Sequence, residues 1–328
     1  MNPRIQGIGL LSGGLDSTLA VKVLQEQGLE LLAITFVTPF FGPEAGLEAG
    51  AKAGVPTISV DISQRHLDML KHPRYGYGSQ MNPCIDCHAL MLNEAGRLME
   101  KEGAGFLFTG EVLGQRPMSQ RRDSLRSVEK LSGYPGYILR PLCAKLLPPT
   151  RAEETGLVNR EKLLDIQGRS RKRQAELARR FGITDYPQPG GGCMLTKEGF
   201  SSRLRSLLSA NADATAGDVE IIKWGRAFRL PARNICMVGR NLADNTKLDQ
   251  LAREDDIHLR SYDYPGPTGL IVASPSPMED IDTAAGLVAS YGDGPRNTPI
   301  RVHWRHKGNT GYITVEVKAR DSYKEMLL

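Results

Sequence analysis

Ile8-Gly9-Leu10-Leu11, then Ser12-Gly13-Gly14-Leu15-Asp16-Ser17, then Thr18-Leu19-Ala20-Val21-Lys22-Val23-Leu24: this stretch decides the fold. The first four residues predict a short buried strand, and the last seven predict a helix with one apolar face. Between them lies a turn rich in glycine and serine. Strand, glycine turn and helix is the arrangement that aims backbone N–H groups at a phosphate bound at a helix N-terminus. The glycines permit close backbone approach and the serine hydroxyls add donors. The loop lacks the Gly-Lys-Ser/Thr ending of a Walker A loop, so that phosphate cradle is excluded.

Downstream, strand and helix keep alternating. Leu31 to Val37 is a continuous apolar run suited to a central parallel strand, Glu44 to Ala53 reads as a helix ended by Gly54, and Thr57 to Ile62 reads as a third strand. Phe106 to Thr109 and Tyr137 to Leu142 supply a fourth and a fifth. The expected fold is therefore α/β, a doubly wound parallel sheet. Ligands in such sheets sit beyond the C-terminal strand ends, which gathers Ser12 to Ser17, the segment after Thr35, and Thr109 to Gln120 at one rim. An insertion rich in Gly, Tyr and Pro, His72 to Pro83, leads into Cys84-Ile85-Asp86-Cys87-His88 and a helix to about Glu102. His66 and His72, flanking it, read as surface or packing residues. Tyr75 and Tyr77 read equally as base-stacking groups or as a loop tip.

The 328-residue length predicts two domains, with boundaries at 1–210 and 217–328 around the small, polar segment Ser209 to Asp218. In the second, Val219 to Trp224 and Asn234 to Val238 read as strands and Asn241 to Arg253 as a helix. Ile300 to Trp304 and Tyr312 to Val317 read as a hairpin, giving a smaller α+β domain. No apolar run is long enough for a membrane helix, and the N-terminus lacks a signal-peptide core, so a cytoplasmic location is expected. The net charge of +5 is concentrated: Arg160 to Arg180 holds eight cations against three anions, an excess equal to that of the whole chain. That segment, with Arg171, Lys172 and Arg173, is either a solvated helix face or a footprint for a polyanion.

The string Ser12-Gly13-Gly14-Leu15-Asp16-Ser17 resembles the PP-loop of the ATP pyrophosphatases, HUP-like α/β proteins that split ATP to AMP and pyrophosphate and adenylate a substrate. The resemblance implies that Ser12, Gly13, Gly14, Asp16 and Ser17 cradle the β- and γ-phosphates. Asp16 would support Mg²⁺-pyrophosphate geometry, and Ala33 to Phe36, Thr35 included, would lie beside the adenine. Thr109-Gly110-Glu111-Val112-Leu113-Gly114-Gln115-Arg116-Pro117-Met118-Ser119-Gln120 is similar to the second signature of the tRNA 4-thiouridine synthetase family of PP-loop enzymes. This adds Gly110, Glu111 and Gln115 to the ATP site. Arg140-Pro141-Leu142 fits the same family, and Lys145 sits near that family's functional lysine. The likeness covers roughly residues 4 to 208.

Of five cysteines, Cys143 and Cys236 read as buried structural thiols. Cys84 and Cys87 have the spacing of a ligand pair, and Cys193 lies far off in a triple-glycine loop, Tyr186 to Cys193. Three chemistries compete. Structural zinc would need a further ligand such as His88. A dithiol or persulfide relay would activate one thiolate at a helix N-terminus. A 4Fe-4S cluster on three cysteines would leave one iron open to sulfide. Related PP-loop tRNA thiolases share this Cys-x-x-Cys plus distant Cys and bind a 4Fe-4S cluster, so the resemblance favours the last.

Val238-Gly239-Arg240-Asn241, Asn245-Thr246-Lys247-Leu248 and Tyr264-Pro265-Gly266-Pro267 resemble the RNA-binding module of NFACT-type proteins. That implies a phosphate-binding face including Arg240 and Arg305; the alternative is a packing or dimerisation domain, and a homodimer is among the expectations. The thiouridine synthetases usually carry an N-terminal RNA-binding extension. Here the first strand begins within ten residues, so the C-terminal domain is expected to grip tRNA. A rhodanese-like appendage is likewise not expected, which favours the cluster or free sulfide as the sulfur route; the expected sulfur donor is free sulfide or a cysteine desulfurase. The expected activity is ATP-dependent conversion of a tRNA uridine carbonyl to thiouridine, with 4-thiouridine favoured and Asp16, Cys84, Cys87, Cys193 and Lys145 as the catalytic set. The alternatives are a PP-loop enzyme adenylating a small molecule and a nucleotide-switched RNA-binding protein.

Overall fold

β1 (Gly7–Leu10) is the central strand of a five-stranded parallel sheet, hydrogen-bonded to β2 (Leu31–Val37) on one side and β4 (Phe106–Phe108) on the other. β3 (Thr57–Asp61) lies outside β2, and β5 (Ile138–Leu139) outside β4. The order β3-β2-β1-β4-β5 means the chain winds outward from β1 in one direction, then returns to β1 and winds outward in the other. The crevice between β1 and β4 is thus the topological switch point, where such sheets bind ligands. The computed structural model describes residues 4–186, 193–272 and 276–328.

Strand alternation sorts the core into two layers. Leu31, Ala33, Phe106, Phe108 and Leu139 pack with Leu15, Leu19 and Val23 of α1 (Leu15–Gln25) and Ala178 of α7 (Lys172–Arg180). On the opposite layer Ile8, Leu32, Ile34 and Leu107 pack with Ala89, Leu92 and Met99 of α4 (Cys84–Glu102) and Val128 of α5 (Arg122–Ser132). α2 (Glu44–Ala53), α3 (Ser63–Lys71) and the short α6 (Arg151–Glu154) complete the unit. β5 is shorter than the expected Tyr137 to Leu142. Pro141 has no N–H for a ladder, and Arg140 O instead accepts from Cys143 N at 3.0 Å in a turn.

The chain divides into compact units Met1–Cys193 and Met194–Leu328, so the expected boundary at Ser209 to Asp218 falls inside the second unit. α8 (Glu198–Ala210) belongs with the second unit because its polar residues tie it there: Arg203 donates to Ile222 O at 3.2 Å, and Arg229 to Ser206 Oγ. Val219 to Trp224, expected as a strand, is corrected to helix α9 (Ala216–Ile221). A capping box decides it: Thr215 N donates to the Asp218 carboxylate at 2.6 Å, and Asp218 N to Thr215 Oγ1 at 3.4 Å. Thr215→Ala is expected to cost about 1 kcal/mol. Both tryptophans, Trp224 and Trp304, lie in this unit, so the shift is read as a lower urea midpoint by tryptophan fluorescence.

The second unit carries an antiparallel sheet in the order β11-β10-β8-β9-β7-β6. The strands are β6 (Arg226–Arg229), β7 (Ile235–Val238), β8 (Ile257–Ser261), β9 (Thr268–Ile271), β10 (Pro299–His306) and β11 (Asn309–Glu316). α10 (Leu242–Leu251) is capped by Asn241, and α11 (Ile281–Ser290) packs its small, buried residues on the sheet. The expected hairpin is present, with His306 opposite Asn309 across Lys307-Gly308, both at positive φ as a type I′ turn needs. Among the described residues, no helix is long and apolar enough to cross a membrane.

Candidate active site

Gly14 is the N-cap of α1 and no side chain caps that end, so the first-turn N–H groups face the rim. Ser17 Oγ donates to Gly14 O at 2.8 Å and lies 3.4 Å from Ser12 Oγ, which sets the two hydroxyls side by side. Gly13 has φ of +79°, and a Cβ there would lie 2.5 Å from Ala45 O. The second signature docks on this loop. A Cβ at Gly110 would lie 2.4 Å from Ser17 N, and Gln115 Nε2 donates to Asp16 Oδ2 at 2.7 Å. Ser12, Gly13, Gly14, Asp16, Ser17, Gly110 and Gln115 therefore meet in the switch-point crevice. Thr35, also expected there, is buried, with its Oγ1 against Gly46 of α2.

Glu111 faces the other way. Its carboxylate accepts from Arg140 Nε at 3.0 Å and Thr109 Oγ1 at 3.1 Å, and lies 2.8 Å from His88 Nδ1. Burial opposes ionisation, but the Arg140 charge and the His88 hydrogen bond outweigh it and hold the carboxyl at about 2. Glu111, expected at the ATP site, thus has its carboxylate engaged by Arg140, Thr109 and His88. It fastens the start of α4, where Cys84 and Cys87 lie, to the loop that touches Ser17.

Asp86, buried, accepts from Arg74 N at 2.7 Å and Tyr75 N at 3.1 Å and so seats the insertion on α4. Tyr77 Oη donates to Leu70 O at 2.7 Å. Asn82 Nδ2 donates to Cys84 Sγ at 3.2 Å. Cys87 Sγ lies 3.2 Å from Nε2 of His66, a fully buried histidine on α3 flanked by the rings of Phe40 and Phe41. Burial holds His66 down at about 4, so it is neutral at physiological pH. Burial, then the proximity of Cys193 and Cys84, pushes the Cys87 thiol up. Cys84, Cys87 and Cys193 therefore share one neighbourhood. The expected activation of a free thiolate at the helix N-terminus is not what Cys87 shows; its thiolate needs a compensating partner. His88, considered as a zinc ligand, is committed to Glu111 through Nδ1. Among the described residues no three His, Cys, Asp or Glu side chains converge on one ion. Residues 187–192 of the triple-glycine loop lie outside the described residues.

The Lys145 ammonium donates to Glu161 O at 2.8 Å and pairs with its carboxylate. Cys143 and Cys236 are buried, and burial raises their thiols to about 11 and about 12, in keeping with structural roles. Of the basic cluster, Lys172 and Arg173 are exposed, but Arg171 turns inward and donates to Asp16 Oδ2 at 3.1 Å. Sequence reasoning missed His66, the Arg140–Glu111–His88 strut and the Arg171–Asp16 pair. In the second unit Arg240 grips Asp244, Arg305 is exposed on β10, and a cavity of about 350 Å³ is lined by Arg226, Arg240, Arg320 and Tyr291. The guanidiniums of Arg226 and Arg320 lie 5.1 and 5.3 Å from the Tyr291 ring centre.

Fold and site together define a PP-loop α/β unit followed by an antiparallel-sheet unit. Residues 4–145 match the family described as "Thiamine biosynthesis protein (ThiI)", and residues 225–325 match the "NFACT protein RNA binding domain". The chain thus joins a ThiI-type PP-loop domain to an NFACT-type domain. A "Probable tRNA sulfurtransferase" of Thermococcus kodakarensis is 29% identical over 145 residues, 41% of this chain and 36% of that protein. A "tRNA-specific 2-thiouridylase MnmA" of Trichlorobacter lovleyi is 32% identical over 116 residues, 31% of this chain and 32% of that protein. The chain spans about a third of the length of these curated relatives. A crystal structure described as the "predicted subunit of tRNA methyltransferase" from Methanocaldococcus jannaschii aligns with TM-score 0.31 at 17% identity, covering 42% of this chain and 67% of that one.

Proposed function

We propose that this protein is an ATP-dependent tRNA sulfurtransferase of the cytoplasm that converts a uridine carbonyl to a thiocarbonyl, giving 4-thiouridine. The observation that carries the reading is the continuous contact from thiols to nucleotide loop: Cys87, then His88, Glu111, Gly110 and Ser17. Adenylation and sulfur delivery need to occur at one carbon, and a strut joining the cysteine-bearing helix to the nucleotide loop supports that reading.

ATP binds with its β- and γ-phosphates on Ser12 to Ser17. The uridine oxygen attacks the α-phosphorus; an O–P bond forms and pyrophosphate leaves. Sulfide then attacks the activated carbon; a C–S bond forms, the C–O bond breaks, and AMP leaves with the oxygen and the electron pair. When free sulfide is the donor, sulfur enters and ends at the sulfide level and no external reductant is needed. Sulfur from a cysteine desulfurase arrives as a persulfide, and its release as sulfide takes two electrons from a dithiol reductant, which closes to a disulfide. Lys145 is retained as a candidate for the developing charge on the leaving AMP. Lys172, Arg173, Arg240 and Arg305 are proposed contacts to tRNA phosphates.

Three thiols sharing one neighbourhood fit the donor set of a 4Fe-4S cluster, whose cysteines each bind a different iron and need not converge on one ion. Cys84, Cys87 and Cys193 would hold it; when bound it supplies an open iron for sulfide. Asp16 Oδ1, buried without a hydrogen-bond partner among the described residues, suits Mg²⁺.

Two assays test the reading: tRNA-dependent pyrophosphate release, and mass spectrometry of the tRNA nucleosides. Cys84→Ala, Cys87→Ala and Cys193→Ala are each expected to keep pyrophosphate release within a few-fold of wild type and to drop thionucleoside to background. Iron and acid-labile sulfide should fall in parallel in anaerobically reconstituted protein. Wild-type thiolation by the three variants would sink the sulfur role, and pyrophosphate release indifferent to tRNA would point to a small-molecule substrate.

A further inference from the structure

Arg171 lies in the segment whose charge suggests a polyanion footprint, yet its side chain is mostly covered and donates from Nη2 to Asp16 Oδ2 at 3.1 Å. Behind it, Gln174 of α7 is fully buried and donates from Nε2 to Gln115 Oε1 at 2.9 Å, and Gln115 in turn donates to Asp16. Loop 109–120 is fixed to the approach to α7 by Gly168 N, which donates to Leu113 O at 2.8 Å. A guanidinium is therefore held beside the nucleotide loop by two separate elements.

The polar count at this point does not close. Asp16 Oδ1, Arg171 Nε and Gln174 Oε1 are all buried without a hydrogen-bond partner among the described residues. A buried donor or acceptor without a partner is costly, and such groups are normally satisfied by something. The Arg171 fork has a second donor edge, and Asp16 a second oxygen, at the loop that would hold the end of ATP. A fork of N–H groups matches two phosphate oxygens where a lysine would supply a point charge.

We propose that Arg171 is a ligand of the pyrophosphate portion of ATP rather than of RNA. In this assignment its guanidinium bonds the β- and γ-phosphate oxygens, while Gln115, backed by Gln174, keeps its hold on Asp16. Asp16, relieved of one partner, turns its carboxylate to the metal that accompanies the phosphates. The inference rests on the ATP-using reading of the loop and adds the cation that Ser12 to Ser17 lacks, since no lysine or arginine lies within that stretch.

Calorimetric titration of the full chain with Mg-ATP and with AMP tests it, alongside tRNA binding at several salt concentrations. Arg171→Gln is expected to weaken Mg-ATP about ten- to a hundredfold while leaving AMP within twofold, since AMP lacks the two phosphates concerned. Arg171→Lys should recover part of the loss. Lys52→Gln, at an exposed residue paired with Glu48 and Asp185, should leave both Mg-ATP and tRNA binding unchanged. Unchanged AMP binding reports an intact site. If both Arg171 variants bind Mg-ATP as wild type does, the assignment is overturned. If they lose tRNA affinity and salt dependence instead, Arg171 belongs to the RNA face. Absence of Mg-ATP binding by the wild type would bring down the ATP reading itself, a result distinct from either.

Discussion

Gly110→Ala is expected to lower kcat/KM for ATP, measured by pyrophosphate release, by about a hundredfold while the protein stays folded. A Cβ at this position would lie 2.4 Å from Ser17 N and 2.5 Å from both Asp16 C and Ser17 Cα. All three are backbone atoms, so no side-chain rotation relieves the clash. Ordinary contact requires roughly 1 Å more, and either loop 109–120 or the first turn of α1 has to supply it. A misplacement of about 1 Å in positioning groups costs about 10²-fold in rate. Overpacking adds about 1–3 kcal/mol of lost stability, short of what unfolds a domain of this size. Gly199→Ala is the matched control. Gly199 lies in α8 with nothing within 4 Å of its would-be Cβ, and its kinetics should match wild type. Wild-type kinetics for Gly110→Ala would mean that the contact between the two signatures plays no part in ATP use.

How far the sequence reveals this arrangement depends on the range of the interaction. The loop Ser12 to Ser17 is legible because its information is local: an apolar strand, a glycine turn and a helix in one run. The doubly wound parallel class follows from the repeated strand–helix unit, whereas the order β3-β2-β1-β4-β5 emerges only in the fold. The strut and the Asp16 network are another matter. Gln115 reaches Asp16 across 99 residues and Arg171 reaches it across 155, and no periodicity encodes such pairings. Charge density pointed Arg171 outward with its neighbours, whereas the register of α7 turned residues 171 and 174 inward together and left Lys172 and Arg173 exposed. His66 gave a weak signal: on α3 it is buried with Leu67 and Leu70, on one helical face, which is compatible with plain packing. Only the fold shows Cys87 against it. In the second unit Val219 to Trp224 looked like a strand by composition, and the cap Thr215 with Asp218 overrode it. β8 was visible in principle, since Ile257 and Leu259 alternate with less buried neighbours. α11, made largely of small residues such as Ala284, Ala285, Gly286 and Ala289, lacks the contrast that marks an amphipathic helix.

Acid is expected to weaken the first unit well above the pH at which its carboxylates titrate, and His66 is the reason. In the folded chain burial keeps this imidazole from protonating until about pH 4, against 6.5 for a free side chain. Below pH 6.5 the unfolded chain gains a proton that the folded chain refuses. Stability present above that pH is therefore lost as pH falls from 6.5 to 4, by about 1.4 kcal/mol per unit and about 3 kcal/mol in all. Glu111 extends the loss with the same sign. Its folded carboxyl is held at about 2, below the ordinary 4.5, so stability present above 4.5 drains between 4.5 and 2 as the unfolded chain takes up that proton first. The tryptophans report only on the second unit, so the measurement is hydrogen–deuterium exchange of α3 and α4 amides between pH 7 and pH 5, corrected for intrinsic rates. Wild type should lose about 2 kcal/mol of protection over that range from His66. His66→Phe keeps a ring between Phe40 and Phe41 and cannot titrate, so its loss should be smaller by that amount. Equal losses in the two proteins would show that the histidine beside Cys87 is not kept neutral by the fold. Glu111→Gln supplies the complementary test at pH 7. It leaves the Arg140 guanidinium, buried at the sheet's edge, with one carboxylate instead of two, and breaking a buried pair in this way costs about 3–5 kcal/mol. Because the same carboxylate joins the cysteine helix to the nucleotide loop, that variant should also uncouple the two half-reactions, retaining pyrophosphate release while losing thionucleoside. A strut that served stability alone would leave the ratio of the two products unchanged.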